Sequence, residues 1–88
     1  MTIRSASGST GLIREEVWVN TSNEVVKYSL AYINFHLSQA DNGRVLGYDN
    51  AHGFHERHYM GKAEKVSFST YEARARRFYS EVEKLRRL

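Results

Sequence analysis

Hydrophobic positions along the chain fall into short clusters separated by polar breaks, and the spacing inside each cluster differs. Leu12 to Val19, LIREEVWV, sets β-branched and aromatic residues around a charged middle, which predicts a strand. Residues 20–23, NTSN, are a turn by composition. Glu24 to Leu37, EVVKYSLAYINFHL, alternates so that Val26, Tyr28, Leu30 and Tyr32 share one side while Lys27 and Ser29 share the other. That is a half-buried strand, and from Ile33 onward it becomes apolar on both sides. Asp41-Asn42-Gly43 is a strong turn signal. RVLGYD, residues 44–49, predicts a third strand, and Gly47 inside it points to a bulge or a close backbone approach. EKVSFS, residues 64–69, predicts a fourth.

After residue 69 the period changes. Tyr71, Ala75, Phe78, Val82 and Leu85 recur at steps of four and three, one apolar stripe on a helix, with Arg74, Arg77, Glu81 and Lys84 off it. Ser69 followed three residues later by Glu72 has the form of a capping box, in which a hydroxyl and a carboxylate satisfy free N–H groups at the helix start. The stripe needs an apolar surface, and a sheet supplies one. The expected fold is α+β: an antiparallel four-stranded β-meander packed against one C-terminal amphipathic α-helix. Residues 11–88 would form this single domain, and residues 1–10, small and polar, a flexible N-terminal tail.

Length and composition narrow the classes. At 88 residues there is no room for a second core, and a chain of this size gains from a partner, so a homodimer is admitted. No cysteine is present, which excludes disulfides and thiolate metal sites and suits a reducing cytoplasm. YSLAYINF is the longest largely apolar run, far short of the ~20 residues that span a bilayer, so no membrane association is expected. The opening MTIRSASGSTG lacks the apolar core of a secretory signal.

The net charge of +3 is unevenly placed. Tyr71 to Leu88 holds six bases and three acids, while the rest of the chain holds seven of each. Arg74, Arg76, Arg77, Arg86 and Arg87 therefore make a basic helix face suited to a polyanion or an acidic partner. Basic residues in a last helical turn also complement the helix dipole, a purely structural use.

YDNAHGFHERHYMG, residues 48–61, stands apart. His52, His55 and His58 fall within seven residues, with Asp49, Asn50, Glu56 and Arg57 among them. Three readings fit, two of them chemical. Histidines at i, i+3 and i+6 with Asp49 offer ligands for a divalent ion, although strand geometry would send them to opposite faces. Metal-free cleavage of RNA through its 2′-hydroxyl needs a base, an acid and a cation on the phosphate; His55 and His58 supply the first two and Arg57 the third. Asp49 would orient an imidazole or the loop, with Asn50, His52 and Tyr59 as secondary candidates. The third reading is an ordinary hairpin connection, since His, Asn, Asp and Gly are all tolerated in turns.

The order strand, YDNAHG, HERHYMG, VSFST, amphipathic helix resembles the TumE-type toxins of bacterial toxin–antitoxin systems. The matching positions are Tyr48, Asp49, Asn50, Gly53, His55, Arg57, His58, Gly61 and Phe68. The family pattern places His-Arg-His contiguously, whereas here Glu56 separates His55 from Arg57. The resemblance implies a toxin with RNA as its target and a cognate antitoxin, of helix-turn-helix type, as partner. Taken with the histidine and arginine chemistry above, the leading reading is a ribonuclease that needs no metal or other cofactor. The alternative is a non-enzymatic phage or mobile-element protein that docks on a host complex through its basic helix. Sequence-specific DNA binding fits less well, because no helix-turn-helix is visible and the one helix is needed to cover the core.

Overall fold

The computed structural model describes residues 1–88. Six strands occur in chain order: β1 (Thr2–Arg4), β2 (Thr10–Val19), β3 (Val25–Ile33), β4 (Arg44–Asp49), β5 (Glu56–Tyr59) and β6 (Lys62–Lys65). Helix α1 (Tyr71–Leu85) follows. The strands form one antiparallel sheet in sequential order, β1-β2-β3-β4-β5-β6. The sheet is thus a meander with a C-terminal helix, as expected, but with six strands rather than four.

Both added strands come from segments whose composition conceals them. Thr2–Arg4 lies in the small polar stretch expected as a tail, yet it pairs with Thr10–Leu12. The segment after it is tied to the helix end, where Ala6 N donates to Arg86 O and Ser7 N to Leu88 O. The second addition is β5, which lies inside the histidine stretch. Met60 and Gly61 at φ 49° and 86° form the tight turn to β6. The strand expected over residues 64–69 is accordingly shifted: pairing covers Lys62–Lys65, and the chain leaves the sheet after Val66 N donates to His55 O.

β3 ends at Ile33 rather than Leu37, because Asn34 is buried and its Oδ1 accepts from His36 N and Leu37 N, replacing the ladder with a local turn. Gly47 is not a bulge. A Cβ there would stand 2.8 Å from Arg44 Cδ, so the glycine serves a close approach by the arginine stem.

Helix α1 crosses the sheet over β3 and β4. Phe78, Val82 and Leu85 are buried against Tyr28, Leu30, Tyr32, Val45, Leu46 and Tyr48, while Tyr71 and Ala75 pack at the margin. Tyr28 and Tyr32 are therefore core, whereas Phe35 is exposed. The helix cap is Thr70, one residue later than the expected Ser69: its Oγ1 accepts from Ala73 N at 3.1 Å. The capping box is not formed, because with Thr70 as cap the third helical residue is Ala73 and has no side chain to reach back. Beyond Ser29 the β2–β3 hairpin runs on past β4 as a two-stranded arm with exposed Val17, Trp18 and Val26. No helix is long and apolar enough to cross a membrane.

Candidate functional site

Strand alternation decides where each group of the histidine stretch goes. In register, Tyr48 opposes Arg57 and Asp49 opposes Glu56, while Gly47 opposes His58. Side chains directly opposed share a face, and successive ones alternate. Arg57 and Tyr59 thus look toward the helix, and Glu56 and His58 look away from it. His55, just before β5, returns to the helix side. The stretch is therefore a turn and a strand rather than one loop, and it does not bring His55 and His58 together.

On the helix side, the His55 ring is held by two side chains. Its Nδ1 pairs with the Tyr28 hydroxyl at 2.9 Å, and its ring lies 4.0 Å from that of Phe68, nearly parallel at 7°. Tyr28 and Phe68 also stack on each other, at 5.8 Å. The other ring nitrogen, Nε2, makes no hydrogen bond within the protein. Burial lowers the pKa of this histidine, and the nearby charge of Arg74 lowers it further, so at neutral pH the ring is a neutral base.

Beside Phe68 a groove of roughly 800 Å³ opens between the start of α1 and the β5–β6 pair. Arg57, Arg74 and Arg77 line it, together with Tyr48 and the residues of the helix entry, Ser67, Ser69 and Thr70. Arg57 is fixed by Glu81: its Nε donates to Glu81 Oε2 at 3.2 Å and to the Tyr48 hydroxyl at 3.2 Å, and its Nη2 also bonds Glu81. Burial alone would raise the Glu81 carboxyl, but hydrogen bonds from Arg57 and Tyr48 and the charges of Arg57 and Arg77 hold it below its usual range. A second groove, roughly 560 Å³, continues past this bridge along Tyr59, Ser80 and Lys84, sharing Arg57 and Arg77 with the first.

Arg74 overturns its expected position off the buried stripe. It is only 6% exposed, its guanidinium lies 4.4 Å from the Tyr48 ring centre, and one Nη bonds Ser67 O. Its buried Nε has no hydrogen-bond partner. An uncompensated donor on a buried cation is costly, and a charge in this place is one that an anion in the groove would repay. The remaining arginines differ. Arg77 projects from the helix, 3.7 Å from Glu81, with its side chain 70% exposed. Arg86 is committed to Glu83 and the Arg4 carbonyl, whereas Arg76 and Arg87 are exposed. The five helix arginines are thus not one uniform face.

On the opposite side of the sheet, His58 Nε2 pairs with Asp49 Oδ2 at 2.9 Å, and Asp49 Oδ1 accepts from Ala51 N at 3.2 Å. Asp49 thus holds both an imidazole and the turn. Asn50 bridges strands, its Oδ1 accepting from Tyr28 N and its Nδ2 donating to Val26 O. His52 sits on the turn with its Nδ1 3.1 Å from Glu56 Oε1. Glu81 did not stand out as a site residue in the sequence, since a helical Glu carries no local signal, and Phe68 entered only as a position matching the family pattern. Glu56 had one: period-two spacing alone places it beside His58.

Two comparisons found nothing, with no match among curated proteins or among solved structures. The comparison with protein families did: the model of the family described as Toxin TumE matches residues 1–86, nearly the whole chain. The strand, YDNAHG, HERHYMG and helix arrangement described above lies inside that match, and the chain belongs to the TumE toxin family.

Proposed function

We propose that this toxin acts on RNA, that the groove on the helix side takes the RNA backbone, and that His55 is the proton-transferring group of a ribonuclease reaction. One observation carries the reading: three arginines converge on a groove lined by Phe68, whose ring stacks at 4.0 Å on the neutral imidazole of His55. Phosphate is the anion such a cluster suits, because guanidinium groups offer several N–H donors to phosphate oxygens. Arg77, with most of its side chain in solvent, makes the first contact, and Arg74 supplies fixed charge from the wall. Arg57 spends much of its fork on Glu81 and Tyr48, so it shapes the groove as well as charging it.

In the reaction, His55 Nε2 accepts the proton of a ribose 2′-hydroxyl as that oxygen attacks the adjacent phosphorus. The bond to the 5′-oxygen breaks, and that oxygen takes a proton from water in the open groove. The arginines offset the charge that builds on the phosphoryl oxygens. Tyr28 fixes the ring orientation through Nδ1, the part a carboxylate plays beside many catalytic histidines. A cognate antitoxin of helix-turn-helix type would hold the toxin inactive in the cell.

The reading is tested by binding to a single-stranded RNA oligonucleotide over a series of salt concentrations. Wild type should show affinity falling steeply with salt, and Arg77→Glu should weaken binding by on the order of tenfold or more with a shallower slope. Binding that ignores salt, or is equal in the variant, would refute the groove as the RNA site.

A further inference from the structure

We propose that Asp49, Glu56 and His58, on the face of the sheet away from the helix, form a binding site for a divalent transition-metal ion of the zinc class, closed by His52. The site shares no residue with the RNA groove and does not rest on that reading.

Three donors already converge: one ligand atom from each of Asp49, Glu56 and His58 lies within 4.8 Å of the others. Two ligands on a tetrahedral zinc ion, at bonds of roughly 2.0–2.2 Å, stand about 3.4 Å apart, so side-chain rotation alone closes the gap. The fourth donor comes from the turn. His52 Nδ1 is 3.1 Å from Glu56 Oε1, and its side chain is 72% exposed, free to swing onto an ion. Two imidazoles and two carboxylates are a donor set that zinc accepts. Asp49 is held from behind by Ala51 N, which orients a carboxylate before any metal arrives.

A separate observation is electrostatic. Asp49 and Glu56 are paired directly across β4 and β5, an arrangement in which like charges destabilise each other. Two cations stand nearby, and each is shared with another group. Arg44 is bound to Asp41 at 2.6 Å and also forms an ion pair with Asp49, at 3.8 Å. Lys65, opposite Glu56, has its ammonium 4.6 Å from the centre of the Phe54 ring. Arg44 thus offsets part of the charge of two carboxylates whose side chains are only 9% and 14% exposed. A divalent ion would offset the rest, taking the place of the hydrogen bond between His58 and Asp49. Bound there, it would pin the turn of residues 50–55 to the strands.

The test titrates zinc chloride into the chelator-treated full chain by calorimetry, with histidine ring signals followed by NMR. One ion per chain is expected, with the rings of His52 and His58 shifting and those of His36 and His55 unmoved. Asp49→Asn and His58→Gln should each lose more than the roughly 10–100-fold that outer-shell changes cost, and His36→Gln should lose nothing. The melting temperature of the wild type should rise with zinc concentration. Absence of one-to-one binding overturns the proposal, as does binding that persists in both variants. Should a variant fail to fold, the ring signals of the wild type decide: shifts confined to other histidines overturn it.

Discussion

His55 and His58 are three residues apart and project from opposite faces of one sheet, the first stacked on Phe68 against the helix side and the second paired with Asp49 on the other. That division separates two chemistries that the sequence presents as a single cluster.

The core expectation concerns Phe78, fully buried beneath the helix against the tyrosines of β3 and β4. Phe78→Ala should cost about 3–5 kcal/mol, enough to unfold much of so small a domain at ambient temperature. Thermal unfolding followed by circular dichroism measures it. An unchanged melt would mean that the helix does not cover the core.

The Arg57 fork is the next point of leverage. One guanidinium reaches both Glu81 and the Tyr48 hydroxyl, and a lysine ammonium cannot span them. Arg57→Lys should lower stability by about 1–3 kcal/mol and also weaken RNA binding, because Glu81 is then left partly unpaired beside the groove. Arg76→Ala should change neither, since Arg76 is exposed away from the groove lining. Equal effects in the two variants would contradict the placement of Arg57 at the centre.

Acid should destabilise the protein in two windows. The fold depresses the pKa of His55, so the unfolded chain takes the proton first; stability is intact above the ordinary histidine pKa of about 6.5 and falls as pH drops below it. Glu81 is likewise depressed, so its contribution is present above the ordinary carboxylate range and is lost as pH falls through it. Urea titrations at stepped pH should show both declines. His55→Gln should remove the first and keep the second.

Much of the scaffold was legible because its signals are local and periodic. The Tyr71-to-Leu85 stripe needs only a 3.6-residue period, and the alternation of Tyr28, Leu30 and Tyr32 needs only a two-residue one. β1 was not legible: Thr2–Arg4 has no pattern of its own and is a strand because β2 offers it an edge. β5 was hidden differently. Glu56–Tyr59 is polar because Arg57 bonds a helix carboxylate and His58 a strand carboxylate, so its burial is polar and composition reads it as loop. The site followed the same rule. Asp49 as the partner of an imidazole was anticipated from chemistry alone, whereas Arg74 as a buried wall and Glu81 as an anchor depend on helix rotation against the sheet, which no sequence spacing states.

The most direct test of the central claim is cleavage of a labelled single-stranded RNA by the purified protein, compared across wild type, His55→Gln and His58→Gln. Wild type should cleave with products ending in a 2′,3′-cyclic phosphate, and His55→Gln should lose on the order of 100-fold or more in rate, the usual scale for removing a general base. His58→Gln should retain most of the rate, because its ring lies on the other face. A wild type that leaves RNA intact, or a His55→Gln variant as active as wild type, would contradict the account.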